Sequence, residues 1–158
     1  MILSTISFAT QGQGSNNGDS GNTEEKVYNG FTFTNQNGLW VLGSFAFRYL
    51  PQEIENISFD AKSTSDYEGK PAYIYSKNLE AESEIGINMG IIAQRVQKAC
   101  PEKTNCSADI PIKTCNDNFI IIKESTIKSI TKENNCIFIQ GPQEELVKIA
   151  DEFLFKTL

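Results

Sequence analysis

The chain has 158 residues, of which 39% are hydrophobic and 22% charged, a size that fits one domain with a tail and a core of its own. Its formal charge of −6, with the basic residues scattered, argues against a phosphate-tracking surface, so no nucleic-acid partner is expected. It contains no histidine, which removes the commonest general base, the usual partner of a Ser or Cys nucleophile and the commonest metal ligand.

From the N-terminus, Met1 to Phe8 is apolar but far short of the ~20 residues that a membrane-spanning helix needs. Ser7-Phe8-Ala9 places small residues where a signal peptidase reads, so residues 1–10 read as the end of a signal peptide or anchor. A plain apolar tail competes with that reading. So does a donor strand, in which Ile2, Ile6 and Phe8 dock into another subunit. Residues 11–25 form a Gly/Ser/Asn-rich linker, and residues 26–158 a single disulfide-stapled domain.

VYNGFTFT and LWVLGSFAFRY alternate and are rich in aromatic and β-branched residues, which predicts two strands. Asn37-Gly38 between them accepts the positive φ of a tight hairpin turn. Short strands are expected near Ile57 to Ala61 and over Ala72 to Ser76. Apolar residues at three- and four-residue intervals predict a helix from Leu79 to Ala99, capped by Asn78. Gly86 and Gly90 make a smooth strip on it, where another element can approach closely. Asp109 to Thr114 fits a short edge strand, and Phe119 to Ile122 a strand covered on both faces. Thr126 to Thr131 and Cys136 to Gln140 follow as strands. Pro142 opens a closing helix with the stripe Leu146, Ile149, Ala150, Phe153 and Leu154. The expected fold is α+β, a two-layer sandwich of a mainly antiparallel sheet with two packed helices and an N-terminal β-hairpin.

All four cysteines, Cys100, Cys106, Cys115 and Cys136, lie in one stretch. Zinc knuckles need closer pairs, and a redox dithiol needs a CxxC that is absent. An even number of cysteines behind an export-like start fits disulfides, with reduced buried thiols as the alternative. Of the three connectivities, the favoured one pairs Cys100 with Cys106 across a short loop and Cys115 with Cys136 at the starts of two strands. Asn56-Ile57-Ser58 and Asn105-Cys106-Ser107 are N-glycosylation sequons, making Asn56 and Asn105 candidate acceptors. No metal site, cofactor or catalytic residue is assigned.

The block CNDNFIII, NNCIFIQGP and ELVKIADEFLFK, with YNGFTF and a Trp earlier, resembles uncharacterised exported or membrane-anchored archaeal proteins of small-genome lineages. The resemblance spans most of Tyr28 to Leu158. It implies a surface location and disulfides at Cys115 and Cys136, and carries no activity with it. The function expected is a tethered, non-enzymatic interaction or structural module outside the cytoplasm. Its partner would be a protein or another copy of itself at the cell surface, with the membrane met only through an N-terminal anchor. Two alternatives stand beside it. One is a filament subunit built by N-terminal strand addition. The other is a hydrolase using carboxylates such as Asp60, Asp66 or Glu68.

Overall fold

The computed structural model describes residues 23–107 and 109–158, so the anchor, donor-strand and most of the linker readings lie outside the described residues. The N-terminal part is a four-stranded antiparallel sheet, β1 (Glu25–Tyr28), β2 (Phe31–Gln36), β3 (Leu39–Leu42) and β4 (Phe45–Phe47), in sequential order. Two Asn-Gly pairs make its first turns: Asn29 and Gly30 have φ of 48° and 82°, Asn37 and Gly38 of 55° and 84°. Positive φ at both central residues matches the right-handed twist of the flanking strands. VYNGFTFT is therefore two strands and a turn rather than one strand.

Period-two alternation puts Phe31, Phe33, Trp40, Leu42, Phe45 and Phe47 on one face of this sheet, in register across β2, β3 and β4. A short helix α1 (Thr64–Tyr67) separates it from the second sheet. The expected strand near Ile57 is absent. Residues 55–63 carry no strand pairing, because the Ile57 N–H is taken by the Glu152 carboxylate at 3.3 Å.

The central sheet comprises β5 (Pro71–Ser76), β6 (Arg95–Lys98), β9 (Phe119–Glu124), β10 (Ser129–Glu133) and β11 (Cys136–Gly141), ordered β10-β11-β9-β5-β6. The class is α+β, with strand sense divided between its parts. The N-terminal sheet and the β10–β11 hairpin are antiparallel, whereas β11–β9, β9–β5 and β5–β6 are parallel. Helix α2 (Leu79–Ile92) returns the chain so that β6 runs beside β5 in the same sense. β9 is the middle strand, and its apolar run Phe119 to Ile122 is buried on both faces.

α2 stops seven residues before the end expected from the sequence. Ala93 turns to extended backbone at ψ 155°, and Gln94 and Ala99 donate their N–H groups to Lys70 and Ile74 of the β5 region. Val96 and Ala99 thus continue the helical spacing by coincidence while lying in and after an edge strand. Nothing lies within 4 Å of a Cβ built on Gly86 or Gly90, so the strip they form is open rather than a close packing surface.

α2 and the closing helix α3 (Leu146–Thr157) cover one face of the central sheet. There Ile85, Met89, Ile149 and Phe153 meet Ile74, Ile120, Ile122, Ile137 and Ile139. The opposite face carries Tyr73, Phe119, Ile121 and Cys136. It is crossed by residues 99–107 and 109–117, which include the paired strands β7 (Cys100–Pro101) and β8 (Ile112–Lys113).

Candidate binding cavity

The N-terminal sheet meets the helices through its edge strand, and buried polar side chains make the joint. Asn88 of α2 accepts from the Ala46 N–H at 3.0 Å and donates to the Ala46 carbonyl at 2.8 Å. Glu84 accepts from the Arg48 N–H at 2.7 Å, and Asp151 of α3 from the Tyr49 N–H at 3.1 Å. An unpaired strand edge would otherwise bury these main-chain groups without partners, at a cost of about 1–3 kcal/mol each.

Asn88 and Asp151 are fully buried. Burial first, and then the hydrogen bond and charge of Glu84, push the Asp151 carboxyl far above the ordinary carboxylate range. Its Oδ1 receives no protein donor. A carboxyl proton on Asp151, donated to Glu84, satisfies both groups at once. Glu84 also faces Arg48, whose Nε is 3.9 Å away. This is a structural acid pair, sealed between three elements.

The joint holds the aromatic face of the N-terminal sheet over the last turn of α3 without closing the gap completely. A cavity of ≈300 Å³ remains there. Phe31, Phe33, Leu42, Phe45 and Phe47 line it from the sheet, and Phe155 and Leu158 from the helix. The rings are fixed by one another: Phe47 and Phe155 lie 4.5 Å apart between centroids, and Phe33 and Phe155 6.1 Å at an edge-on 88°. Of the polar groups that line it, Asn56, Glu152 and Lys156 are already committed to one another, and Tyr28 and Asn29 complete the rim. Lys156 Nζ donates to Asn56 Oδ1 at 2.7 Å and to the Ile57 carbonyl, and pairs with Glu152 at 2.9 Å. An ammonium with three donors and three acceptors has nothing left for a ligand charge. What the cavity offers is chiefly apolar contact, in the size range and with the lining usual for small-molecule sites.

The cysteines form two bridges, Cys100–Cys106 and Cys115–Cys136, with Cα separations of 6.1 and 4.8 Å. The first closes a loop within the segment crossing the sheet, and the second ties the end of that segment to β11. Both lie away from the cavity. Asn105 is exposed in the Cys100–Cys106 loop, while Asn56 sits on the cavity rim, so a glycan on Asn56 would stand at its mouth.

The three carboxylates weighed for hydrolysis have separate structural places. Asp60 pairs with Lys132 at 3.0 Å, Asp66 accepts from the Ser63 N–H at the start of α1, and Glu68 forms an isolated bridge with Ala93. Glu84, in the second turn of the helix that Asn78 caps, is buried in the joint. The sequence hinted at the cavity through its Phe alternation. It did not reveal that α3 supplies the opposite wall, or that Asp151, among apolar helix neighbours, meets the main chain just after β4.

Among the described residues no group of three His, Cys, Asp or Glu side chains is placed to hold a metal ion, and no helix is long and apolar enough to cross a membrane. Compared with known proteins, the chain matches no family model, no curated protein and no solved structure.

Proposed function

We propose that this chain is a non-enzymatic interaction module outside the cytoplasm, tethered through its N-terminus, and that the aromatic cavity is its binding element. The observation that carries the proposal is an apolar cavity of ≈300 Å³ left between two layers that are otherwise closely packed. Its occupant is a neutral apolar small molecule or the end of an acyl chain. A peptide strand would need free main-chain partners, whereas this wall is made of side chains. Two disulfides support an oxidising compartment, where such bridges persist. The acidic net charge and the polar stretch Gln11 to Asn22 fit a domain held off a surface.

Titration with a neutral apolar dye such as N-phenyl-1-naphthylamine tests the cavity. One saturable site is expected, displaced by medium-chain alcohols and lost in Phe31→Arg, a half-buried position on the rim side of the sheet. Absence of saturable binding, or binding unchanged in Phe31→Arg, overturns it. Four titratable thiols in protein recovered from its native host would overturn the compartment.

The second reading, assembly by strand addition, is favoured by one observation: all four residues of the edge strand β1 are exposed. A neighbour's Met1 to Thr10 would pair along that edge. Deleting Met1 to Thr10 would then abolish polymers and leave the domain folded, and polymers that persist would exclude it.

A further inference from the structure

A second recess, polar in character and independent of the aromatic cavity, opens at the amino ends of β5 and β9. It has a volume of ≈320 Å³ and is lined by Lys62, Asp66, Lys70, Tyr73, Asn116 and Asp117, among others. Arg95 sits opposite Pro71 in the β5–β6 register, on the same face as Tyr73. Lys113 of β8 crosses above, its Nζ 4.6 Å from the centroid of the Tyr73 ring.

The charges here are unusual for this molecule. Carboxylates outnumber cations by 20 to 14 along the chain. Lys26, Arg48, Lys98, Lys128, Lys132 and Lys156 all form ion pairs. The other eight form none among the described residues, and four of these sit together: Lys62 and Lys70 line this recess, and Arg95 and Lys113 lie beside its Tyr73. Two carboxylates, Asp66 and Asp117, share the recess, so the four cations leave a local excess of positive charge that favours an anion.

Asp66 is present but is turned to the Ser63 N–H at 2.8 Å, capping α1. The side chains of Asn116 and Asp117 have no hydrogen-bond partner among the described residues, while the Asp117 N–H donates to the Thr114 carbonyl at 3.1 Å. Lys62 forms the floor, its amine bonded to Asn118 Oδ1 at 2.6 Å and to the Asn135 carbonyl, over the Tyr67 ring. The hydrogen bond from Arg95, and after it that from Lys113, hold the Tyr73 hydroxyl below its ordinary value in spite of burial.

We propose that this recess binds an anionic sugar, one that carries a carboxylate or a phosphate among its hydroxyls. Arg95, on the Tyr73 face of the sheet, and Lys113, over the Tyr73 ring, take the acid group by charge-assisted hydrogen bonds. Asp117 and Asn116 accept from the sugar hydroxyls, work for which a bare anion has no use. Lys70 adds long-range attraction at the open side.

Calorimetric titration of the whole chain with glucuronate, glucose 1-phosphate, glucose and inorganic phosphate tests the site. Saturable binding is expected for glucuronate or glucose 1-phosphate, and the stronger of the two identifies the acid group. Glucose or inorganic phosphate alone should bind roughly tenfold or more weakly, since each lacks one half of the contacts. The double variant Arg95→Gln/Lys113→Gln, at positions outside the core, should lose at least about tenfold in affinity with its thermal unfolding unchanged. Lys123→Gln, at the other end of β9, should bind as the parent does. The proposal is overturned if neither acid binds saturably, if the double variant binds normally, or if inorganic phosphate binds as tightly as the sugar phosphate.

Discussion

On the helical face of the central sheet, Ile74, Ile120, Ile122, Ile137 and Ile139 disappear under α2 and α3, and no covalent link is used. On the other face, Tyr73, Phe119, Ile121 and Cys136 are buried, but Tyr75 and Phe138 remain partly open. The cover there is a run of loop and two-residue strands, with little apolar surface of its own. That side carries both disulfides. One face is held by burial and the other by restricting the unfolded chain, so the two should fail under different insults.

Phe153→Ala, on the helical face, should cost the most, about 3–5 kcal/mol in urea unfolding, because a fully buried ring leaves a cavity. Replacing Cys115 and Cys136 together by Ala should cost about 3 kcal/mol, from the chain entropy of a loop with sequence separation 21. Hydrogen exchange would then rise first in residues 99–117 and leave α2 protected. Equal loss of protection on both faces would show that the two sides are not separable. Asn88→Ala removes both partners of Ala46 at the joint with the N-terminal sheet, and should cost about 2 kcal/mol without altering either face of the central sheet.

The same joint gives a pH test. Asp151 keeps its proton when folded and loses it when unfolded at the ordinary carboxyl value of 3.8, so above that value the unfolded state binds fewer protons. This group's stabilisation is full in acid and is lost as pH rises toward the elevated folded value, with a slope of ~1 kcal/mol per pH unit. Glu84 and the Arg48 charge both face it, and the Tyr49 N–H is its donor. Chemical unfolding between pH 5 and 8 should show stability falling, and Asp151→Asn should flatten that fall. The smallest effect expected is a gain. Gly86→Ala and Gly90→Ala each meet empty space in the middle of α2 and should stabilise by ~0.5–1 kcal/mol.

Local chemistry carried much of this fold in readable form. Asn37-Gly38 specified its hairpin, Asn78 caps Ala81 N–H at 2.9 Å, and the α3 stripe is buried throughout. Where a distant partner decided, reading failed. Gln94 and Ala99 are held extended by β5, whose pairing no spacing within the helix pattern announces. The split in strand sense likewise follows from which strand β9 lies between, a fact of assembly rather than of its own Phe-Ile-Ile-Ile run. The cavity was legible by halves: the Phe alternation marked one wall, and Phe155 and Leu158 became the other only through packing. Asp151 was invisible because it occupies a slot at helical spacing among apolar neighbours, and only the arrival of Tyr49 explains it.

Asn88 and Glu84 recognise β4 and the residue after it by their main chain, through the Ala46 and Arg48 amides and a carbonyl that every sequence possesses. The attachment of the N-terminal sheet is thus largely indifferent to which residue occupies position 46. Together with the exposed Asn29-Gly30 and Asn37-Gly38 tips, this makes the sheet a replaceable cassette. Its outer surface and turns can be rewritten, and new recognition grafted there, while the helices keep their grip.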